Sequence, residues 1–214
     1  RMVPARDPRN GEMGERALSN GTLAMVARMY MYQGEMAALL PVTMAEARAG
    51  RFEPLIAQAM MMSDDLGSQI ASGMHWSVIC AEDAPHFVPR PEDKGLLLGE
   101  DFVTITIAWC GEWPKRGVPA DFHEPAKGDI PTLVMSGEFD PVTPSRYGDQ
   151  VVKGLAKARH LVVPGQGHSV LGRGCGPKLV SQFIKTADAA ALDAECLQEQ
   201  TPAPFFLNLS GGTP

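Results

Sequence analysis

The chain has 214 residues and a formal net charge of −6. That length suffices for one large domain, or one and a half, with a sizeable core. The acidic balance excludes nucleic acid as the expected partner, and no stretch approaches the ~18 consecutive apolar residues of a membrane-spanning helix. The first residue is Arg1 and no signal peptide is visible, which reads as a mature chain or a fragment.

Residues 1–18 are polar and turn-rich (Asp7-Pro8-Arg9-Asn10-Gly11) and read as a loop. Over 22–32, Leu23, Val26, Met29 and Tyr30 share one face of a predicted helix. Leu39-Leu40-Pro41 ends that unit. Thr43-Met44-Ala45-Glu46 then has the form of a capping box, with Gly50 stopping a short helix. Phe52, Leu55, Ile56, Ala59 and Met60 repeat the helical spacing, and Pro54 is tolerable in a first turn. The first 70 or so residues therefore read as helical hairpins without a strand. Of the 12 methionines, 11 lie at or before Met74, which suits a pliable helical layer, either ordinary gap-filling or an adaptable lid.

Residues 75–80 (HWSVIC) form a β-prone run, followed by Ala81-Glu82-Asp83, either a solvated turn or a loop carboxylate able to hold a substrate ammonium group. At 96–109, alternation at 104–107 competes with a helical face of Leu98, Phe102, Ile105 and Trp109, and a helix is predicted. Pro, Gly and charge across 112–129 mark a linker. Beyond it come a strand at 132–135, a helix at 145–157 with Thr143 as N-cap and Pro144 as its first residue, and a second apolar strand at 160–163. The loop Pro164-Gly165-Gln166-Gly167-His168-Ser169, a helix at 177–187 and an extended tail, with Phe205 and Phe206 docking on the body, complete the chain.

Cys80, Cys110, Cys175 and Cys196 show no C-x-x-C spacing; they allow three connectivities, and four buried free thiols remain the alternative. His75, His86, His123, His160 and His168 show no ligand spacing, so scattered surface histidines are expected, with no metal and no cofactor. The chemistry concentrates in two loops at the carboxyl ends of the successive strands. One carries Asp140 and the other, 28 residues later (168 − 140), carries His168. A histidine acting as general base needs one fixed tautomer, and a carboxylate on its far nitrogen supplies it. Gly165 and Gly167 allow a tight loop to aim the ring.

The segments S-G-E-F-D-P-V-T-P and V-V-P-G-Q-G-H-S resemble the Asp and His segments of the α/β-hydrolase fold. More narrowly, the chain is similar to the tripeptidyl-aminopeptidase-like, prolyl-aminopeptidase-related serine hydrolases of exported bacterial proteins. W-S-V-I-C-A-E-D at 76–83 and W-C-G-E-W-P at 109–114 support this, as do the late Cys175 and Cys196. The resemblance covers nearly the whole chain and is tightest over 132–169. It implies Asp140 as triad acid, His168 as base and Glu82 as an anchor for a substrate's free amino terminus. It also favours disulfides, paired Cys80–Cys110 and Cys175–Cys196 so that each closes a short segment, and hence a secreted or periplasmic protein.

The resemblance also implies a nucleophile on a G-x-S-x-G elbow ahead of the acid, and this chain has none. Ser68 and Ser72 lack the spacing, Ser77 and Ser136 fall within predicted strands, and Ser169 adjoins His168 itself. The expectation is therefore the C-terminal portion of an α/β-hydrolase: 1–125 a helical cap or lid, 126–214 the last two sheet strands with their helices. Two parallel strands cannot cover both faces and edges alone, so an N-terminal chain or segment of the same hydrolase is the expected partner. The expected activity is exopeptidase action on peptides with a free amino terminus. The alternatives are an esterase or other acyl hydrolase, or a non-catalytic binding fragment.

Overall fold

The computed structural model describes residues 1–97 and 99–211, without the side chains of residues 64–69. Leu98 and the side chain of Ser68, both weighed above, thus lie outside the described residues. The chain divides into two compact units, Arg1–Val26 with Phe52–Glu124, and Ala27–Arg51 with Pro125–Pro214.

The first unit opens with a hairpin where the sequence reads as loop. Strands β1 (Met2–Arg6) and β2 (Met13–Ala17) pair antiparallel, Met2 opposite Ala17 and Arg6 opposite Met13. Alternation is present but short, with Val3 and Ala5 buried and their neighbours exposed, and Pro4 weakens the signal as it does on edge strands. The turn residues are its other half: Asp7 accepts from Arg9 Nε at 2.9 Å and Nη2 at 2.6 Å, and Gly11 takes φ +79°. The Arg9 guanidinium, with help from the Arg9 backbone N–H, brings the Asp7 carboxyl down to about 2.

Helix α1 (Asn20–Tyr30) matches its predicted periodicity and runs from the first unit into the second. Helix α4 (Glu53–Gln69) lays Ile56 against Val3 and Ala5, with Leu18, Phe52 and Met60 around them. The predicted strand at 75–80 is instead part of helix α5 (Ser72–Glu82). A β-prone hexapeptide is ambiguous by itself. Here Ser77 Oγ bonds back to the Gly73 carbonyl at 2.8 Å, and a disulfide ties the fully buried Cys80 to Cys110 on helix α6 (Asp101–Glu112). Trp76 and Trp109 stack across the same helix pair at 5.4 Å and 10°. The helical reading of the 96–109 region holds from Asp101 onward.

In the second unit, α2 (Gly34–Ala37) and α3 (Leu40–Arg48) follow α1. The capping box at 43–46 does not form. Pro41 lies in the first turn of α3, so Leu39-Leu40-Pro41 starts a helix rather than ending one, and Thr43 is interior, its hydroxyl donating to the Leu39 carbonyl at 3.0 Å. Glu46 instead forms an ion pair with Arg51 beyond Gly50, which closes the helix at φ +86°.

The rest is a strand–helix–strand–helix unit. Strands β3 (Thr132–Gly137) and β4 (Ala158–Val163) are parallel, in register from Thr132 opposite Ala158 to Gly137 opposite Val163. Helix α7 (Ser145–Val152) crosses between them. Pro144 is its cap rather than Thr143, and it stops short of 157 because Gly154 passes tightly against Ala126 and Leu155 bridges to Gly128. Helix α8 (Gly176–Thr186) packs its Leu179 with Leu161, Val163 and Val170, and the Cys175–Cys196 disulfide lies against this core with Leu192 and Leu197. Both disulfides follow the expected pairing. The tail docks through the Phe206 N–H on the Ala38 carbonyl at 3.0 Å, whereas Phe205 stays 66% exposed. Helices and parallel strands together make an α/β fold, and among the described residues no helix is long and apolar enough to cross a membrane.

Candidate active site

Strands β3 and β4 end side by side, so the loops leaving their carboxyl ends meet, and the two residues singled out by sequence meet with them. His168 Nδ1 lies 2.9 Å from Asp140 Oδ2 and 3.2 Å from Oδ1. The approach needs bare backbone. A Cβ on Gly137 would come within 1.9 Å of the Gly167 carbonyl oxygen, and one on Gly167 within 2.2 Å of the Met31 carbonyl oxygen. Only glycine lets the histidine loop fit between the end of β3 and the segment joining α1 to α2. That segment also holds the histidine directly. The His168 N–H donates to the Tyr32 carbonyl at 2.9 Å, and the Tyr32 ring meets the imidazole edge-on at 5.0 Å.

The Asp140 side chain is 3% exposed and has donors on both oxygens. Oδ1 accepts from the Val142 N–H at 2.8 Å and the Thr143 N–H at 2.9 Å, and Oδ2 accepts from the Thr143 hydroxyl at 2.8 Å. Burial by itself would push this carboxyl up. The N–H groups of Thr143 and Val142, then His168 and the Thr143 hydroxyl, outweigh it and hold the group below the usual carboxylate value. An ionised, oriented acid therefore faces an imidazole whose side chain is 35% exposed. The pair lines a cavity of about 630 Å³ whose other walls include Leu133, Met135, Val180 and Phe183. With Nδ1 engaged by the carboxylate, Nε2 is the nitrogen left for proton transfer, the arrangement that general-base chemistry needs.

A second linked set of the same residue types lies elsewhere in this unit, and the sequence reading did not foresee it. Asp149 Oδ1 stands 2.8 Å from His160 Nδ1, and His160 Nε2 stands 2.9 Å from Ser136 Oγ. The atoms match a nucleophile–base–acid chain, but the setting does not. Ser136 is 9% exposed inside β3 and the His160 side chain 5%, its ring filling the space a Cβ on Gly148 would take. A substrate carbonyl has no route to Ser136. This set joins α7 to both strands and is structural.

Glu82 closes α5 in the first unit, whereas Asp140 and His168 belong to the second. Ser169 is beside His168 in the chain and lines the same cavity. Thr143 and Tyr32 are the residues at the pair that sequence reasoning missed or misassigned. Thr143 looked like a helix cap, although its place three residues after Asp140 is a local turn signal. Tyr32 carries no local signal at all, because it stands 136 positions before His168 (168 − 32). Among the described residues no cluster of three or more His, Cys, Asp or Glu is arranged to hold a metal ion.

Residues 97–196 match an α/β-hydrolase family model described as TAP-like protein, a range that includes Cys110, Asp140, His168, Cys175 and Cys196. Neither a curated protein nor a solved structure matches the chain.

Proposed function

Because residues 97–196 match the TAP-like α/β-hydrolase family model, we propose that the chain supplies the acid and base of a serine exopeptidase whose nucleophile comes from an N-terminal chain or segment of the same enzyme. The observation that carries this reading is the 2.9 Å contact of His168 Nδ1 with a buried, ionised Asp140 beside an open cavity. In this mechanism a serine presented from outside these 214 residues donates its proton to His168 Nε2 and attacks the substrate carbonyl. Asp140 holds the ring and stabilises the imidazolium. His168 then returns the proton to the leaving amine, and water repeats the cycle on the acyl-enzyme. Glu82 is the proposed anchor for the substrate's free amino terminus. The two disulfides fit an oxidising compartment, and we extend this to secretion or a periplasmic location.

The test is reconstitution with a segment carrying G-x-S-x-G, assayed on aminoacyl and tripeptidyl anilides beside short-chain esters. His168→Ala should lower kcat by about 10³-fold or more, since members of such a triad act as a unit. Near-normal turnover by the variant would refute the assignment, and a preference for esters would move the enzyme to the acyl hydrolases that share this chemistry. The absence of a G-x-S-x-G elbow from the chain favours one second reading, a non-catalytic binding fragment. A fluorophosphonate probe separates the two, because labelling of a companion polypeptide in the native preparation is expected only for the enzyme.

A further inference from the structure

The five histidines look scattered in sequence, yet the fold of the first unit brings two of them to a single point. His86, at the end of the single 3₁₀ turn Ala84–His86 after α5, places its Nε2 3.0 Å from Nε2 of His123, 37 residues away. The rings stand 79° apart with centroids at 4.4 Å, and Phe122 packs edge-on against His123. Both histidines are exposed. A hydrogen bond at the surface exchanges with water for little net gain, so it gives weak reason for two loops to aim the same nitrogen at each other.

We infer that His86 and His123 form a site for a borderline divalent transition metal, Zn²⁺, Ni²⁺ or Cu²⁺. With metal–nitrogen bonds of about 2.0 Å, two nitrogens 3.0 Å apart subtend about 97° at the ion. That lies between the octahedral and tetrahedral angles and suits adjacent ligands. Imidazole pairs select these metals, whereas Mg²⁺ and Ca²⁺ require oxygen ligands. Since no third such side chain completes a cluster among the described residues, water fills the remaining positions and the ion exchanges readily.

The proton balance is simple. Without metal, one ring donates its Nε2–H to the Nε2 lone pair of the other. On binding, the donor ring passes to its Nδ1–H tautomer through solvent. Both Nε2 lone pairs then face the ion. The ion would join the turn that follows α5 to the short turns at 119–124, where Phe122 N–H bonds to the Pro119 carbonyl and Glu124 N–H to the Asp121 carbonyl. The end of α5 is already held to α6 through Cys80–Cys110, so the metal would add a second, reversible fastening to that end of the unit.

Titration of the metal-free chain with zinc chloride alone, by calorimetry and by thermal melting, tests this. One equivalent should bind and raise Tm, with nickel and copper behaving alike and magnesium without effect. His86→Ala and His123→Ala should each abolish binding while keeping the wild-type circular dichroism, because both side chains are exposed. His75→Ala should bind as the wild type does. Failure of the wild-type chain to bind zinc saturably, or unchanged binding by both variants, would overturn the proposal.

Discussion

Thr143 shows how much one side chain contributes to the pair it serves. Its backbone N–H supports Asp140 Oδ1 and its hydroxyl supports Oδ2, and the same hydroxyl lies 3.4 Å from His168 Nδ1. Thr143→Val keeps the shape and removes the O–H donor from a buried carboxylate, a loss of about 1–2 kcal/mol. Denaturant unfolding of the chain should show it, and Thr143→Ser should restore most of it. The same donors set a pH window. The folded Asp140 carboxyl is held below its ordinary value, so the stability it contributes is complete above the unfolded value of about 3.9 and disappears as pH falls through the lower, folded one. The stability difference between the wild type and Asp140→Asn should therefore not decline from neutral pH down to about 5 and should shrink only below about 4. A difference that already declined near pH 6 would contradict the assigned environment. Asp140 and His168 were legible because loop glycines and a strand-end acid are local signals. Tyr32 was not, since only folding brings it to His168.

At the scale of elements, the helix α5 illustrates where pattern reading fails. HWSVIC suits a strand by residue type, and its helical state is settled by what lies beside it: α6, the Trp76–Trp109 stack and the Cys80–Cys110 bond. Replacing Cys80 and Cys110 together by alanine frees a loop of 30 residues in the unfolded chain, and by loop-closure entropy should cost about 3.6 kcal/mol. Loss of cooperative unfolding in the first unit, followed by the near-ultraviolet signal of Trp76 and Trp109, would check it. The hairpin β1–β2 failed in the opposite way. Its turn chemistry was visible, but its two strands are short and polar enough to pass for loop. They become strands only because α4 covers Val3 and Ala5. By contrast α1, α4, α8, β3 and β4 were readable directly, since long periodic or continuous apolar runs carry their own burial pattern.

At the scale of the molecule, the α/β class and the strand–helix–strand unit with its terminal helix follow from the chain read as text, whereas the sequence leaves three pairings of the cysteines open and the fold selects one. The apolar runs before Asp140 and His168, the glycines between them and the similarity to TAP-like hydrolases all point the same way, and residues 97–196 bear that family's pattern. Only the tertiary structure decided the rest. It grouped Ala27–Arg51 with the C-terminal residues, linked Ser136 and His160 to the exposed Asp149, and faced His86 with His123. The reason is physical. A local run records which face it will bury and how it will turn, so β3, β4 and their loops are written in their own residues. Contacts between residues far apart in the chain depend on how many surfaces pack at once, and no short stretch of sequence contains that sum.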